Sequence, residues 1–298
     1  MNSVTPSPLC VRDVLAAAGE RAGFDAARAE LVRDGSNVLF RLPGGVVARV
    51  GREDTYENAE RQVELSRWLL SAGVPTVRAL EGVPQPTVVH HRPVTWWEEL
   101  PEHRPATPGE LGAVLRSLHA LKLPAQVPLP ELDPLAGIAE RISSALHLHD
   151  EDRAWLTHRV TALREQYNEL PGEQEICVVH GDAWQGNFAV SDARSPVVLD
   201  LERVAQGHAD WDLIPLAADY ADFARLTEDD YRQFVLAYGG YDVLTSARFR
   251  VLADIQELRW ATFVLGRATA SPGAAREAQH RLACLRGCVP RPWKWTAL

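Results

Sequence analysis

Hydrophobic spacing along the chain changes from helical to alternating and back. Residues 8–23 (PLCVRDVLAAAGERAG) predict a short amphipathic helix closed by Gly23. The period then drops to two. Glu30–Leu42 (ELVRDGSNVLFRL) predicts two strands around a turn-forming Asp34-Gly35-Ser36-Asn37. Pro43-Gly44-Gly45 predicts a hairpin turn, and Val46–Val50 (VVARV) a third, β-branched strand. Alternation puts Val47, Arg49 and Gly51 on one face of that strand, with Val46, Ala48 and Val50 on the other. Helical spacing returns over residues 55–72 and stops at Gly73, and short strands are expected near 77–80, 87–91 and 94–97.

The segment Glu98–Pro108 (EELPEHRPATP) is polar, contains three prolines and reads as a hinge. Beyond it the chain is mostly helical. Thr107, Pro108 and Glu110 have the spacing of an N-cap, a first-turn proline and a capping box for a helix over 108–121. Further helices are expected at about 134–149, 151–168, 211–224, 228–238, 245–268 and 272–287. One β island, 176–200, interrupts them. The pattern predicts an α+β protein of two parts: a β-rich lobe over 1–100 and a mostly helical lobe over 101–298. The length of 298 residues agrees with one or two domains.

Composition narrows the function. The net charge is −9, which argues against a nucleic-acid binder, since such proteins normally carry a basic stripe. The basic residues are almost all arginine, with lysine only at Lys122 and Lys294. Neither lies in a Gly-Lys-Ser/Thr context, so P-loop NTPases are excluded. No apolar run approaches the roughly 18 residues of a membrane helix, and the N-terminus carries no signal-peptide pattern. The four cysteines are few and lie among apolar residues, as expected of free thiols in the cytoplasm. Cys284 and Cys288 have no matching Cys/His pair and read as packing residues rather than metal ligands.

The β island holds the densest polar cluster. An apolar CVV run leads into His180-Gly181-Asp182, Asn187 follows five residues later, and a second apolar run, VVL, ends at Asp200. Asp182, Asn187 and Asp200 thus lie at strand ends or in the loop between strands. Hard oxygen donors of this kind suit Mg²⁺, which takes one or two protein carboxylates and completes its shell with water and phosphates. A further carboxylate is then left to accept a proton. Protein kinases distribute these roles in this order, with a catalytic-loop Asp, an Asn five residues on and a metal-binding Asp beyond.

HGDAWQGN, followed by VLDLE and GHADWDL, resembles the aminoglycoside phosphotransferase/choline kinase family, which has the protein-kinase-like fold. The likeness extends over about residues 30–290 and includes GSNVLFRL, RWLLSAGVPTV and LGAVLRSLHAL. It implies ATP (or GTP) and Mg²⁺ as cofactors and a small-molecule hydroxyl as acceptor. Asp182 would be the catalytic base, and His180 would pack beneath its loop, whose backbone Asp212 would hydrogen-bond. Asn187 and Asp200 would hold Mg²⁺. Arg49 would take the position of the third-strand lysine, with Glu60 or Glu64 of the next helix as its partner. Ser36 and Asn37 read either as a hairpin turn or as phosphate contacts. The backbone near Glu98–Leu100 would receive the base, with Trp96 or Trp97 close by.

The chain departs from this pattern at three points. No lysine precedes Lys122, so the cation must be Arg49, which binds phosphate through a planar fork rather than a point charge. Gln62 stands where a helix glutamate is common, and Glu60 and Glu64 lie on the opposite face. Leu201 replaces an aromatic between Asp200 and Glu202, and Glu202 could assist the metal. Residues 199–257 hold twelve acidic and five basic residues, a charge of −7, whereas residues 1–100 carry only −2, so a cationic acceptor would be steered to the helical part. The favoured expectation is an aminoglycoside-type acceptor, then a sugar, choline-like or amino-alcohol metabolite. A pseudokinase or nucleotide-binding regulator is the alternative of another class. No protein-kinase substrate motif, protein partner, nucleic acid or membrane is indicated.

Overall fold

The computed structural model describes residues 10–35, 37–146, 148–171, 175–191, 195–267 and 271–296. Two compact units are distinguishable: the chain up to Pro105 with Pro124–Pro128 and Gly186–Arg203, and the remainder, Ala106–Leu123, Leu129–Gln185 and Val204 onward. A single cut after residue 100 does not separate them, because 186–203 returns to the first unit.

The first unit is built on an antiparallel sheet of strands β1 (Glu30–Asp34), β2 (Val38–Leu42), β3 (Val46–Val50), β4 (Thr87–Val89) and β5 (Arg92–Glu98), in the order β1-β2-β3-β5-β4. Alternation decides which side chains are buried. Phe40, Leu42, Val46, Ala48, Val50, Val94 and Trp96 form a core with Val14, Leu15 and Ala18 of helix α1 (Val11–Ala22). Each large apolar side chain buried there contributes about 1.5–3 kcal/mol. The opposite face carries Leu39, Val47, Arg49, Thr95 and Trp97, brought side by side by the register Leu39↔Arg49↔Thr95 and Val47↔Trp97. Helix α2 (Tyr56–Ser71) packs on this face through Val63 beside Val47 and Trp97.

No regular strand forms over 77–80. Val77 donates to Val198 O (3.1 Å) and Leu80 to Trp96 O (2.9 Å), so the segment changes partner within three residues and never builds a ladder. The proline-rich hinge contains strand β6 (Arg104–Pro105), which pairs with β8 (Phe188–Val190), itself paired with β9 (Val197–Val198). This pairing, with Thr76 Oγ1 donating to Val198 O (2.7 Å), holds 186–203 in the first unit.

The second unit is helical around one ribbon, β7 (Ile176–Val179) with β10 (Ala205–His208). Its helices are α3 (Pro108–His119), α4 (Ile138–Ser144), α5 (Asp150–Asn168), α6 (Asp210–Ala221), α7 (Glu228–Tyr238), α8 (Phe249–Leu265) and α9 (Pro272–Leu285). The capping box of α3 forms as its sequence predicts: Thr107 Oγ1 accepts from Glu110 N–H (3.3 Å) and Glu110 Oε2 from Thr107 N–H (2.8 Å). Helix α4 is shorter than the expected 134–149. Asp133 Oδ1 closes a turn onto Leu135 N–H (3.0 Å), and Gly137 at φ +75° delays the helix to Ile138. Helices α3 and α7 approach so closely that a Cβ at Gly112 would lie 2.5 Å from Phe234 O. Cys284 is buried among Phe223, Trp293 and Trp295, while Cys288 is exposed, which fits packing rather than metal binding. Among the described residues no helix is long and apolar enough to cross a membrane.

Candidate active site

Each unit carries one part of the polar constellation. In the second unit, strand β7 delivers His180-Gly181-Asp182 at its end. Gly181 adopts φ +79°, a conformation that favours glycine. The turn is held by the start of α6. Asp212, fully buried, accepts from His180 N–H (Oδ2, 2.6 Å) and Gly181 N–H (Oδ1, 2.9 Å), and Trp211 Nε1 donates to Gly181 O (3.1 Å). His180 is itself buried, and its Nδ1 accepts from Asp182 N–H at 3.3 Å. Its own ring therefore stays under the turn, while Asp182 is half-buried at the tip.

A further support was not legible in the sequence. His119, at the end of α3, places Nε2 3.0 Å from Asp212 Oδ2 and Nδ1 2.8 Å from the Tyr238 hydroxyl. Burial, then the charges of Cys177, Asp212 and Asp210, push the Tyr238 hydroxyl up, so it stays protonated. A lone histidine in LGAVLRSLHAL carries no signal for this, because its partners lie 93 and 119 residues away. The Cys177 thiol beside this network is pushed up to about 12 by burial, with Asp212 and Asp210 adding to the effect, so it is an inert packing thiol.

Asp212→Ala is expected to leave two buried backbone donors without an acceptor. At about 1–3 kcal/mol for each, the urea midpoint should shift by an equivalent of roughly 2 kcal/mol or more. An unchanged midpoint would show that the turn does not depend on Asp212.

In the first unit a cavity of about 310 Å³ opens on the sheet face opposite α1. Val47, Val77, Trp97, Leu100, Leu199 and Leu201 supply apolar lining, while Asn37, Arg49, Glu98, Asn187 and Asp200 supply polar groups. Trp97 thus lines the cavity, and Trp96 belongs to the core. Glu98 N–H is already donated to Arg78 O (2.9 Å) and Glu99 N–H to Gly45 O (2.7 Å), which ties down the start of the hinge. Asn187 is buried, and its backbone carbonyl accepts from Leu199 N–H at 2.9 Å. Asp200 has φ +49°, left-handed for a non-glycine residue.

Arg49 does not pair with Glu60 or Glu64. Both are exposed, and Glu60 accepts from the Tyr56 hydroxyl at 2.8 Å. Its partner on α2 is Gln62, whose Oε1 accepts from Arg49 Nη1. Two residues of helix turn the side chain by about 200°, so 60 and 64 face away whenever 62 faces in. The buried run Gln62, Val63, Leu65, Ser66 and Leu69 marks the inward face. The carboxylate on Arg49 comes instead from Glu202, at 2.7 Å from Nη2, and Asn37 Nδ2 donates to the same oxygen at 3.0 Å. Ser36 lies outside the described residues.

Among the described residues no cluster of three or more His, Cys, Asp or Glu side chains could cage a metal ion. Asn187 and Asp200 are oxygen donors lining one cavity. That set fits Mg²⁺, which relies on few protein ligands and on phosphate oxygens, and does not fit a metal held by the protein alone.

A β-sheet lobe, a helical lobe and a buried aspartate behind a His-Gly-Asp turn define a kinase-like fold. The match of residues 28–250 to the family model of the phosphotransferase enzyme family places the chain in that family. Solved structures agree on the fold. The amicoumacin kinase hAmiN, in complex with AMP-PNP, Ca²⁺ and Ami, matches with a TM-score of 0.73 at 13% identity over 93% of each chain. A choline/ethanolamine kinase family protein from Mesorhizobium loti gives 0.63 at 18% identity over 93% of this chain and 94% of that one. The aminoglycoside phosphotransferase APH(3'')-Id from Streptomyces rimosus gives 0.59 at 20% identity over 81% and 95%. No curated protein matches the chain in sequence.

Proposed function

We propose that the chain transfers the γ-phosphoryl group of ATP (or GTP) to a hydroxyl of a small polar molecule, with an aminoglycoside-type antibiotic as the favoured acceptor. The observation that carries this reading is the cavity of about 310 Å³, apolar where a base would lie against Trp97 and polar at Arg49, Asn187 and Asp200. Arg49 and Asn37 would bind the phosphates. Asn187 and Asp200 would hold Mg²⁺, which supplies charge neutralisation at the phosphates when bound. Asp182 would orient the acceptor hydroxyl and accept its proton, while His180, Asp212 and His119 keep the turn in place. The acidic excess of residues 199–257 supports a cationic acceptor, which covers choline-like molecules as well as aminoglycosides. The four thiols, all free, suit a cytoplasmic protein.

A phosphorylation screen over aminoglycosides, peptide antibiotics, sugars and amino alcohols, read by mass spectrometry for the added phosphate, tests the proposal. ATP binding without transfer to any acceptor would favour the regulator reading instead. Asp200→Ala is expected to weaken nucleotide binding more with Mg²⁺ than without it. Equal losses in calorimetry under both conditions would remove Asp200 from the metal site.

A further inference from the structure

The counter-charge of Arg49 lies in an unexpected place. Helix α2 offers Arg49 a neutral amide, Gln62, rather than a carboxylate. Arg49 is only 15% exposed, and a guanidinium so enclosed requires an anion nearby. Two carboxylates compete for the same nitrogen. Glu202 Oε2 lies 2.7 Å from Arg49 Nη2, and Asp200 Oδ1 lies 3.8 Å from it. Glu202 is further fixed by Asn37 Nδ2 at 3.0 Å, across from the turn between β1 and β2.

We propose that Glu202 is the positioning residue of Arg49: it holds the guanidinium toward the nucleotide phosphates and keeps it off Asp200. This inference rests on the nucleotide reading above. The local chain geometry explains why Glu202 can do this. Glu202 sits in a 3₁₀ turn, Leu201–Arg203, two residues beyond β9. Strand β9 is anchored by Val198, whose N–H donates to Pro75 O (2.9 Å) and whose carbonyl accepts from Val77 N–H (3.1 Å), just past the end of α2. One tether therefore sets Asp200 and Glu202 together against the sheet that carries Arg49. A carboxylate on α2 would leave the two free to move independently. Gln62 Oε1 and Glu202 Oε2 take different nitrogens, Nη1 and Nη2, so together they fix the rotation of the guanidinium plane.

The test is a mutant cycle on nucleotide affinity, measured by calorimetry in EDTA and again in Mg²⁺. Glu202→Gln is expected to weaken ATP binding roughly tenfold in both conditions, the scale of one charge-assisted hydrogen bond. In an Arg49→Ala background the same change should cost nothing further, because Glu202 acts through Arg49. Adding Gln62→Glu to Glu202→Gln should recover most of the loss by returning a carboxylate to Arg49. Glu202→Gln is expected to lower the melting temperature, because it leaves the enclosed Arg49 without its carboxylate; if it fails to fold, Glu202→Asp, which keeps a carboxylate but shortens its reach to Arg49, carries the comparison. An effect that persists without Arg49 would make Glu202 a direct ligand and overturn the inference. Tighter binding by Glu202→Gln would make Glu202 a competitor of the phosphates and also overturn it. If wild type binds nucleotide and Arg49→Ala weakens it while Glu202→Gln does not, only the positioning role falls. If wild type binds neither ATP nor GTP at millimolar concentration, the nucleotide reading falls with it.

Discussion

Asp182→Asn should abolish phosphoryl transfer while leaving the fold and nucleotide binding close to wild type. The substitution keeps shape and removes the proton acceptor. The turn that presents residue 182 is held through backbone groups of His180 and Gly181 bonded to Asp212 and Trp211, so it does not depend on the charge at 182. General-base contributions run to about 10²–10⁴-fold, and kcat should fall in that range. Nucleotide affinity should not change, because the cavity proposed for the nucleotide is lined by residues of the first unit only. The measurement is steady-state kcat with the acceptor found by the screen, alongside nucleotide Kd. A variant that keeps more than roughly a tenth of wild-type kcat would remove Asp182 from the role of base.

Arg49→Ala should reduce kcat/KM for ATP by about ten- to two-hundredfold, the equivalent of losing one charge-assisted contact worth roughly 1.5–3 kcal/mol. Arg41→Ala is the matched control. Arg41 also belongs to the cavity face of the sheet, yet its side chain is half-exposed and engaged with Glu99. Arg49 is enclosed between Gln62 and Glu202 and has no lysine near it in the chain to replace it. Arg49→Lys should recover only part of the loss, since an ammonium cannot bond Gln62, Glu202 and a phosphate in one plane. Unchanged ATP kinetics in Arg49→Ala would mean that the nucleotide is held by other groups.

Sequence and structure divide along physical lines. Whatever depends on neighbours within a few residues was legible. The alternation of VVARV sends Ala48 to the core and Arg49 to the cavity face, because successive strand side chains point to opposite sides. The Thr107–Glu110 capping box is a three-residue matter. The His-Gly-Asp turn with Asn187 and Asp200 behind it could be read because strand ends were marked by the apolar runs beside them. Asp212 was legible as a brace only through the family resemblance, since its partners are 31 and 32 residues away.

Tertiary structure alone decided the rest. Helix periodicity showed that Glu60 and Glu64 share a face opposite Gln62, but not which face turns inward. Packing of Val63, Leu65 and Leu69 settled that in favour of Gln62. Neither could local sequence reveal that Glu202 meets Arg49 across 153 residues, or that His119 and Tyr238 complete the Asp212 network. Those contacts follow from β9 anchoring beside α2 and from α3 packing against α7, long-range events that no local periodicity encodes. The chain by itself determined most of the elements, the His-Gly-Asp turn and the phosphotransferase signature. The fold determined which charges meet, because a side chain's partner depends on where distant elements bring their faces together.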